Sequence, residues 1–258
     1  KFWPGPITLV FPKAECVPKE ITGGFDTVAV RFPSNEIARS IIRASGLPIA
    51  APSANSSGKP SPTRASHVEF DLKGKIDMIV DGGATDVGLE STILDVSGKV
   101  PMILRPGAIT KEMLEQVLEK VLIDPAVISK PDKDLKPKAP GMKYTHYSPK
   151  ARVILVKGEM NKVIEKINLL IKEDIDKGLK VGVMATDQTK DCYSLGEVLS
   201  VGDRENPETI GANLFKILRN FDYIGAEVVY SEVFDEKGEG MAIMNRLNKA
   251  AGYNYIEV

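Results

Sequence analysis

Cysteine and histidine are both scarce in this sequence. Its two cysteines, Cys16 and Cys192, lie far apart, and histidine occurs only at His67 and His146. This composition argues against a disulfide scaffold and a multi-histidine metal centre, and it predicts free thiols in a reducing cytoplasm. No apolar run approaches the roughly 20 residues that span a bilayer, and no secretory signal opens the chain, so no membrane partner is expected.

An excess of charge of one sign is also absent. Lysine and arginine number 34 against 35 aspartates and glutamates, for a net charge of −1. No global positive field therefore recruits nucleic acid. The motifs G-x-S-x-G, H-E-x-x-H and Walker A are missing, and no G-x-G-x-x-G follows the first strand of the C-terminal half. Covalent serine catalysis, zinc hydrolysis and dinucleotide binding consequently have no support.

What the chain does have is a loop rich in hydroxyl groups between Pro48 and Thr63. Within it, Ser53 and Asn55 form a Ser-x-Asn pair, and Ser61 opens a Ser-Pro-Thr sequence. Hydroxyls, a carboxamide and free backbone N–H groups bind phosphate oxygens and the metal that accompanies them. The alternative is an ordinary solvated turn rich in serine and proline.

Three further segments place polar groups at or along strands. Thr27 and Arg31 lie four residues apart in a predicted strand, which puts both on one face, where they suit a carboxylate or a phosphate. Ser91 opens an apolar strand, and Arg105 ends another one before a Pro-Gly turn. The alternatives are a solvent-facing strand, a capped turn and a surface ion pair, respectively.

The length of 258 residues suits two domains. Residues 1–123 alternate short strands and helices, including a helix over 35–45, a helix from Thr110 to about Leu122, and short strands over 49–51 and 78–80. Residues 124–149 form a proline-rich linker ending in Tyr144, His146 and Tyr147. Residues 150–258 alternate strands and helices, which predicts a three-layer α/β domain with a mainly parallel sheet.

These segments together resemble the Sua5/YrdC family, in its two-domain Sua5 form. The resemblance rests on the following sequences, in this order: Phe2-Trp-Pro-Gly-Pro, Thr27-Val-Ala-Val-Arg-Phe-Pro, Ala50-Ala-Pro-Ser-Ala-Asn, Ser61-Pro-Thr, Gly88-Leu-Glu-Ser-Thr-Ile-Leu-Asp, Leu104-Arg-Pro-Gly, Ala139-Pro-Gly-Met-Lys-Tyr-Thr-His-Tyr-Ser-Pro and Gly240-Met-Ala-Ile-Met-Asn-Arg-Leu. It implies an α/β protein: an α+β YrdC-like twisted-sheet domain, here incomplete, and a smaller Rossmann-like three-layer α/β domain.

The resemblance implies L-threonylcarbamoyladenylate synthase activity. In that reaction, L-threonine, bicarbonate and ATP, accompanied by Mg²⁺, give threonylcarbamoyl-AMP and pyrophosphate. A downstream threonylcarbamoyl-transferase complex then modifies adenosine 37 of tRNA. Weak binding of tRNA by this chain is also expected. The alternatives are a non-catalytic RNA-binding YrdC-like module and a carbamoyltransferase of the hydrogenase-maturation kind.

The resemblance also implies site residues. The positions matching nucleotide contacts are Thr27, Ser53, Asn55, Ser61 and Arg105, with Tyr144, His146 and Tyr147 of the linker over the cleft. Those matching threonine contacts are Arg31, Ala51 through its backbone, and Ser91. No individual catalytic residue and no protein ligand to a metal is implied. Family members carry a further N-terminal segment with substrate contacts, so this chain is expected to be inactive alone.

Overall fold

The computed structural model describes residues 1–128 and 147–258. The strands are β1 (Ile7–Pro12), β2 (Thr27–Arg31), β3 (Thr92–Asp95), β4 (Met102–Arg105), β5 (Leu122–Ile123), β6 (Arg152–Lys157), β7 (Val181–Ala185), β8 (Glu197–Ser200), β9 (Val228–Glu232) and β10 (Tyr255–Glu257). The α-helices are α1 (Lys19–Thr22), α2 (Glu36–Ser45), α3 (Ala65–Leu72), α4 (Lys111–Glu115), α5 (Pro125–Ile128), α6 (Met160–Asp176), α7 (Pro207–Ile224) and α8 (Glu239–Ala250).

The described residues form two compact units, each discontinuous in sequence. Unit 1 comprises residues 1–53 and 90–128, and unit 2 comprises residues 54–89 and 147–258. Residues 54–89 thus pack with the C-terminal part of the chain. The division into 1–123, 124–149 and 150–258 stays a prediction.

Unit 1 is built on a mixed five-stranded sheet with the order β2-β1-β3-β4-β5. Strand β1 lies inside the sheet, where it pairs antiparallel with β2 and parallel with β3. Side chains alternate between two faces of a strand. Ile7 and Leu94 accordingly belong to one buried cluster, whereas Val10 and Ile93 belong to another. The sheet therefore has apolar side chains on both faces.

Helix α2 confirms the prediction for residues 35–45. The Asn35 side chain accepts a hydrogen bond from the Ala38 N–H at 3.0 Å, and Gly46 ends the helix at φ 65°. These are the N-cap and C-cap that local sequence chemistry favours. None of the residues of α2 is buried, and Ile37 and Ile41 remain 43% and 45% exposed.

Three predicted elements of the N-terminal half differ from the structure. Residues 49–51 and 78–80 form no strand and are exposed, because neither segment pairs with another strand in the part of the chain that the structure describes. The helix capped by Thr110 ends at Glu115, well before Leu122, which instead pairs with Met102 of β4. Strand pairing thus outweighs the helical periodicity there.

Unit 2 confirms the predicted three-layer α/β arrangement. Its five strands are all parallel in the order β10-β6-β9-β7-β8. Ile167 and Ile171 of α6 pack in the cluster on one face, and Phe215 of α7 and Leu247 of α8 pack in the cluster on the other. Helices on both faces are what an all-parallel sheet requires to bury its apolar strands. Strands β8 and β10 were not predicted.

Within residues 1–128 and 147–258, no helix combines the length and the apolar character that crossing a membrane requires.

Candidate functional site

Ser91 and Arg105 are in direct contact in unit 1. Arg105 donates from Nε to the Ser91 carbonyl oxygen at 3.1 Å and from a terminal nitrogen to Ser91 Oγ at 3.2 Å. Ser91 Oγ also lies 2.7 Å from Thr8 Oγ1. Ser91 is buried, whereas Arg105 is half-buried. One guanidinium and two hydroxyls therefore meet at one point of the sheet, a combination that binds anionic oxygen atoms.

The sheet register creates this contact. Arg31, Thr8, Ile93 and Arg105 form one row across four neighbouring strands. Ser91 lies two residues before Ile93 and so shares its face. A register shift between β3 and β4 leaves Leu104 unpaired in that ladder. Such bulges change the direction of a side chain, and here Arg105 reaches Ser91.

The turn after Arg105 depends on Gly107. A Cβ atom at this glycine would lie 2.5 Å from the Thr92 nitrogen and 2.8 Å from the Glu90 oxygen. Thr92 is fully buried, and its hydroxyl donates to the Ile109 oxygen at 2.7 Å. The Pro-Gly turn therefore packs directly against the start of β3, which holds Ser91 beside Arg105.

Arg31 and Thr27 lie at opposite ends of β2. Arg31 pairs with Thr8, and its Nε donates to the Gly5 oxygen at 3.4 Å. Thr27 pairs with Pro12 at the far end of β1, about 13 Å along the strand at roughly 3.3 Å per residue. The structure thus brings Arg31 next to Thr8 and does not bring Thr27 to that point.

Ala51 and Ser53 lie in an irregular, exposed segment of unit 1. The segment carries neither helix nor strand from Leu47 to Ser53. An unpaired backbone offers free N–H and C=O groups, which suits the backbone contact predicted for Ala51. Their substrate contacts stay predictions.

Asn55 organises the start of the hydroxyl loop in unit 2. Its Nδ2 donates to the Ser56 oxygen at 2.8 Å and to the Lys59 oxygen at 3.3 Å. Its Oδ1 is shielded from solvent and accepts no hydrogen bond from the described residues. A shielded acceptor without a donor is costly, and a ligand that donated to it or coordinated it would remove that cost.

Asp71 of α3 holds the same loop in place. Its carboxylate accepts from Lys59 Nζ at 2.9 Å and from the Ser56 N–H at 3.3 Å. Arg219 of α7 donates to Asp71 at 2.8 Å and makes two hydrogen bonds to the Pro60 oxygen, at 2.6 and 3.0 Å. Ser61, which is 9% exposed, follows directly. A buried ion pair therefore fixes the backbone next to a predicted nucleotide contact.

Two opposing effects set the pKa of Asp71. Desolvation raises this pKa, but hydrogen bonds from Arg219 and Lys59 lower it, and the net pKa lies below the ordinary value. The carboxylate is consequently charged at neutral pH, and it balances the two cations that hold the loop.

The linker residues divide between described and undescribed parts of the chain. Tyr147 is 6% exposed and packs in the core of unit 2, with its ring centroid 5.0 Å from that of Phe215. Its predicted contact with nucleotide stays a prediction. Tyr144 and His146 lie outside the described residues.

Sequence reasoning missed Thr8, Asp71 and Arg219. Thr8 lies in an apolar strand beside the Trp-Pro-Gly-Pro sequence, and its only signal is a hydroxyl among apolar residues. Asp71 and Arg219 are 148 positions apart. Each looks like a solvent-facing charge on an amphipathic helix, so no local pattern reveals that they form a buried pair.

The described residues contain no group of three or more histidine, cysteine, aspartate or glutamate side chains that could hold a metal ion. The predicted site residues offer hydroxyl and amide oxygens and no carboxylate. That set fits a Mg²⁺ ion carried by nucleotide phosphates and does not fit an all-protein cage.

Comparisons with known proteins cover the whole chain. Residues 1–107 match a family model described as "Telomere recombination", and residues 109–252 match one described as "Threonylcarbamoyl-AMP synthase, C-terminal domain". The chain is 51% identical to a Pyrococcus abyssi threonylcarbamoyl-AMP synthase over 100% of its own length and 74% of the relative's. It is 47% identical to a Bacillus subtilis threonylcarbamoyl-AMP synthase over 98% of its length and 71% of the relative's.

A solved structure agrees with these matches. The crystal structure of P. abyssi Sua5 complexed with L-threonine superposes with a TM-score of 0.91 at 51% identity, over 100% of this chain and 73% of that one. The similarity therefore extends to both units.

Proposed function

Because the chain belongs to the threonylcarbamoyl-AMP synthase family, we propose that it forms threonylcarbamoyl-AMP and pyrophosphate from L-threonine, bicarbonate and ATP. The observation that carries this proposal is the similarity to synthases over the entire chain, at 51% identity to the P. abyssi relative. The similar structure that contains L-threonine supports the amino acid as a substrate. The same matches favour a synthase over an RNA-binding module or a hydrogenase-maturation carbamoyltransferase.

The contact between Ser91 and Arg105 supports a division of roles. Ser91 is the predicted threonine contact and Arg105 the predicted nucleotide contact, and their side chains lie 3.2 Å apart. We infer that the amino acid and the nucleotide meet here. We also propose that Arg31, which pairs with Thr8 in the sheet, binds the threonine carboxylate.

The chemistry demands positioning and charge neutralisation more than a nucleophile from the protein. An oxygen of the carboxylated threonine amine attacks the α-phosphorus of ATP, and pyrophosphate leaves with the electron pair of the broken P–O bond. The Arg105 guanidinium donates to oxygen atoms that gain negative charge. Mg²⁺ bound to ATP supplies further neutralisation of the phosphate charge. The buried Asp71–Arg219 pair holds the hydroxyl loop still, which lowers the entropy cost of binding.

We propose that the product passes to a threonylcarbamoyl-transferase complex, that any affinity for tRNA is weak, and that the protein acts in the cytoplasm.

Calorimetric titration with L-threonine, and separately with ATP and Mg²⁺, tests the proposed substrates. We expect saturable binding of both, with Ser91→Ala weakening L-threonine binding and Arg105→Gln weakening ATP binding, each about tenfold. The exposed Ser34→Ala change is the matched control and leaves both affinities unchanged. The proposal would be contradicted if the chain bound neither L-threonine nor ATP. It would also be contradicted if Ser91→Ala and Arg105→Gln left both affinities unchanged.

A second assay follows product formation by mass spectrometry in the presence of all three substrates and Mg²⁺. Threonylcarbamoyl-AMP that depends on L-threonine and bicarbonate would support the reaction directly. It would also contradict the expectation from sequence that this chain is inactive alone.

A further inference from the structure

Unit 2 contains an open cavity of about 390 Å³ between helices α3 and α7. We call it the α3–α7 groove, and it is lined by Arg64, Ser66, His67, Phe70, Lys216, Asn220 and Tyr223. None of these residues belongs to the predicted synthase site. Its volume lies within the range of small-molecule sites.

The spacing of the lining residues shows that two helix faces form the groove. Lys216, Asn220 and Tyr223 are separated by four and then three positions, so they lie on one side of α7. His67 and Phe70 are three positions apart on α3, and Arg64 is the N-cap residue of that helix. Because both helices belong to unit 2, these groups are held in a defined arrangement.

Two aromatic residues of the groove lining are exposed. Phe70 and Tyr223 are 63% and 48% exposed, and their ring centroids lie 5.3 Å apart at an angle of 86°. Lys59 Nζ lies 5.0 Å from the Phe70 ring centroid. Exposed apolar groups that adjoin one another, unlike single ones, are typical of ligand-binding grooves. Two perpendicular rings beside an ammonium group provide a stacking surface for a planar base.

Two cations, Arg64 and Lys216, also line the groove. Among the residues that the structure describes, Arg64 and Lys216 take part in no ion pair, so their charges are available to a ligand. Arg219 and Lys59, by contrast, are bound to Asp71. Asn220 adds an amide and Ser66 a hydroxyl to the lining. An anion that entered here would replace water around two unpaired cations.

His67 adds a donor rather than a charge. Its Nδ1 accepts the Thr63 N–H at 3.1 Å, so the proton of the neutral ring is on Nε2. Burial first, and then the positive charges of Arg219, Arg64 and Lys216, lower its pKa to about 4. The ring is therefore neutral at physiological pH beside a positively charged wall.

We propose that the α3–α7 groove binds a nucleotide, with its base against Phe70 and Tyr223 and its phosphate between Arg64 and Lys216. This second nucleotide site goes beyond the synthase reaction. The combination of rings and cations favours a nucleotide over an acidic peptide, which would use only the cations. The nucleotide is either free or part of a single RNA strand, since both present a base and a phosphate.

Fluorescence anisotropy with a fluorescein-labelled adenine hexaribonucleotide tests the proposal, and unlabelled AMP is the competitor. We expect saturable binding that Lys216→Gln, Arg64→Gln and Tyr223→Leu each weaken about tenfold. Leucine keeps the apolar volume and removes the ring face. Lys172→Gln, an equal loss of charge on the exposed side of α6, is the matched control and leaves the affinity unchanged.

The outcomes separate the two sources of the nucleotide. Binding of the hexaribonucleotide at least tenfold tighter than AMP assigns the groove to an RNA strand, whereas equal affinities assign it to a free nucleotide. Absent binding, binding that none of the three variants changes, or equal competition by hexaglutamate overturns the proposal. L-Threonine binding stays unchanged in Lys216→Gln, so failure here is distinguishable from failure of the proposed synthase function.

Discussion

Arg105 illustrates how a single residue depends on the geometry of its side chain. Its guanidinium donates through two different nitrogens, at 3.1 and 3.2 Å, to two oxygens of the same serine. A lysine ammonium carries the same charge on a flexible stem and lacks the planar fork. Charge alone therefore does not preserve this contact.

Arg105→Lys is expected to weaken ATP binding about tenfold, because the fork is lost while the charge stays. Calorimetric titration measures the affinity, and thermal unfolding checks that the fold is intact. Arg152→Lys, at the exposed start of β6, is the matched control. An affinity for ATP equal to that of the unaltered chain would contradict the role assigned to Arg105.

Gly107 allows a second test at the scale of one residue. Gly107→Ala is expected to lower the free energy of unfolding by about 2 kcal/mol, because the added Cβ meets buried backbone atoms at 2.5 and 2.8 Å. Urea unfolding measures the change. Gly98→Ala is the control, since the nearest atom to its Cβ lies 4.0 Å away. Equal effects of the two substitutions would show that the turn does not pack tightly.

At the scale of elements, the Asp71–Arg219 pair connects helices α3 and α7 to the hydroxyl loop. Both side chains are almost fully buried. Removal of one partner leaves a buried charge that only part of the network still balances. This connection gives residues of the C-terminal half a role in holding a loop that the N-terminal half supplies.

Arg219→Met is expected to lower the free energy of unfolding by about 3 kcal/mol, since the Asp71 charge loses its buried partner. Urea unfolding measures the loss, and amide hydrogen exchange over residues 56–61 shows whether the loop becomes less protected. Lys59→Met removes the more exposed partner, 32% exposed, and is expected to cost less. Equal losses of unfolding free energy in the two variants would contradict the prediction that Arg219 is the more important partner of Asp71.

The lowered pKa of Asp71 also predicts a dependence of stability on pH. Because the folded pKa lies below the unfolded value of about 3.9, the contribution is fully present above that value. It is lost as the pH falls through the folded pKa. Unfolding measured between pH 5 and pH 3 should show a shallower decline for Asp71→Asn than for the unaltered chain. Equal pH dependences of the free energy of unfolding in the two proteins would contradict a lowered pKa of Asp71 in the folded state.

At the scale of the whole molecule, the two units differ in how completely they bury apolar side chains. Among the described residues, the clusters of unit 2 enclose twenty and eleven buried residues, whereas those of unit 1 enclose five and three. Unit 1 also leaves large apolar residues exposed, including Phe25, Phe32, Ile37, Ile41 and Leu47. Stability follows buried apolar area, so unit 1 is expected to be the less stable one.

Urea unfolding is therefore expected to occur in two steps. Trp3 is the only tryptophan of the chain and packs against a cluster of unit 1, so its fluorescence reports on that unit. The helices of unit 2 contribute most to far-UV circular dichroism. The unfolding midpoint from Trp3 fluorescence should therefore lie at a lower urea concentration than the midpoint from circular dichroism. Coincident midpoints would show that the two units unfold together.

The sequence by itself determined the elements whose signals are local. Asn35 and Gly46 bound a helix because a side-chain cap and a left-handed glycine act within a few residues. The alternation of apolar strands with helices over residues 150–258 likewise predicted a mainly parallel sheet between helices, which the structure has. The ordered motifs along the chain, including those around Ser91 and Arg105, also indicate the family from the sequence alone.

Only the tertiary structure decided which of these groups meet. Thr8 touches Ser91 across 83 positions, and Arg219 reaches Asp71 across 148. Residues 49–51 and 78–80 are apolar and yet form no strand, since a strand requires a pairing partner as well as apolar side chains. Register, pairing and helix packing bring distant side chains together, and none of these is encoded in a short stretch of sequence.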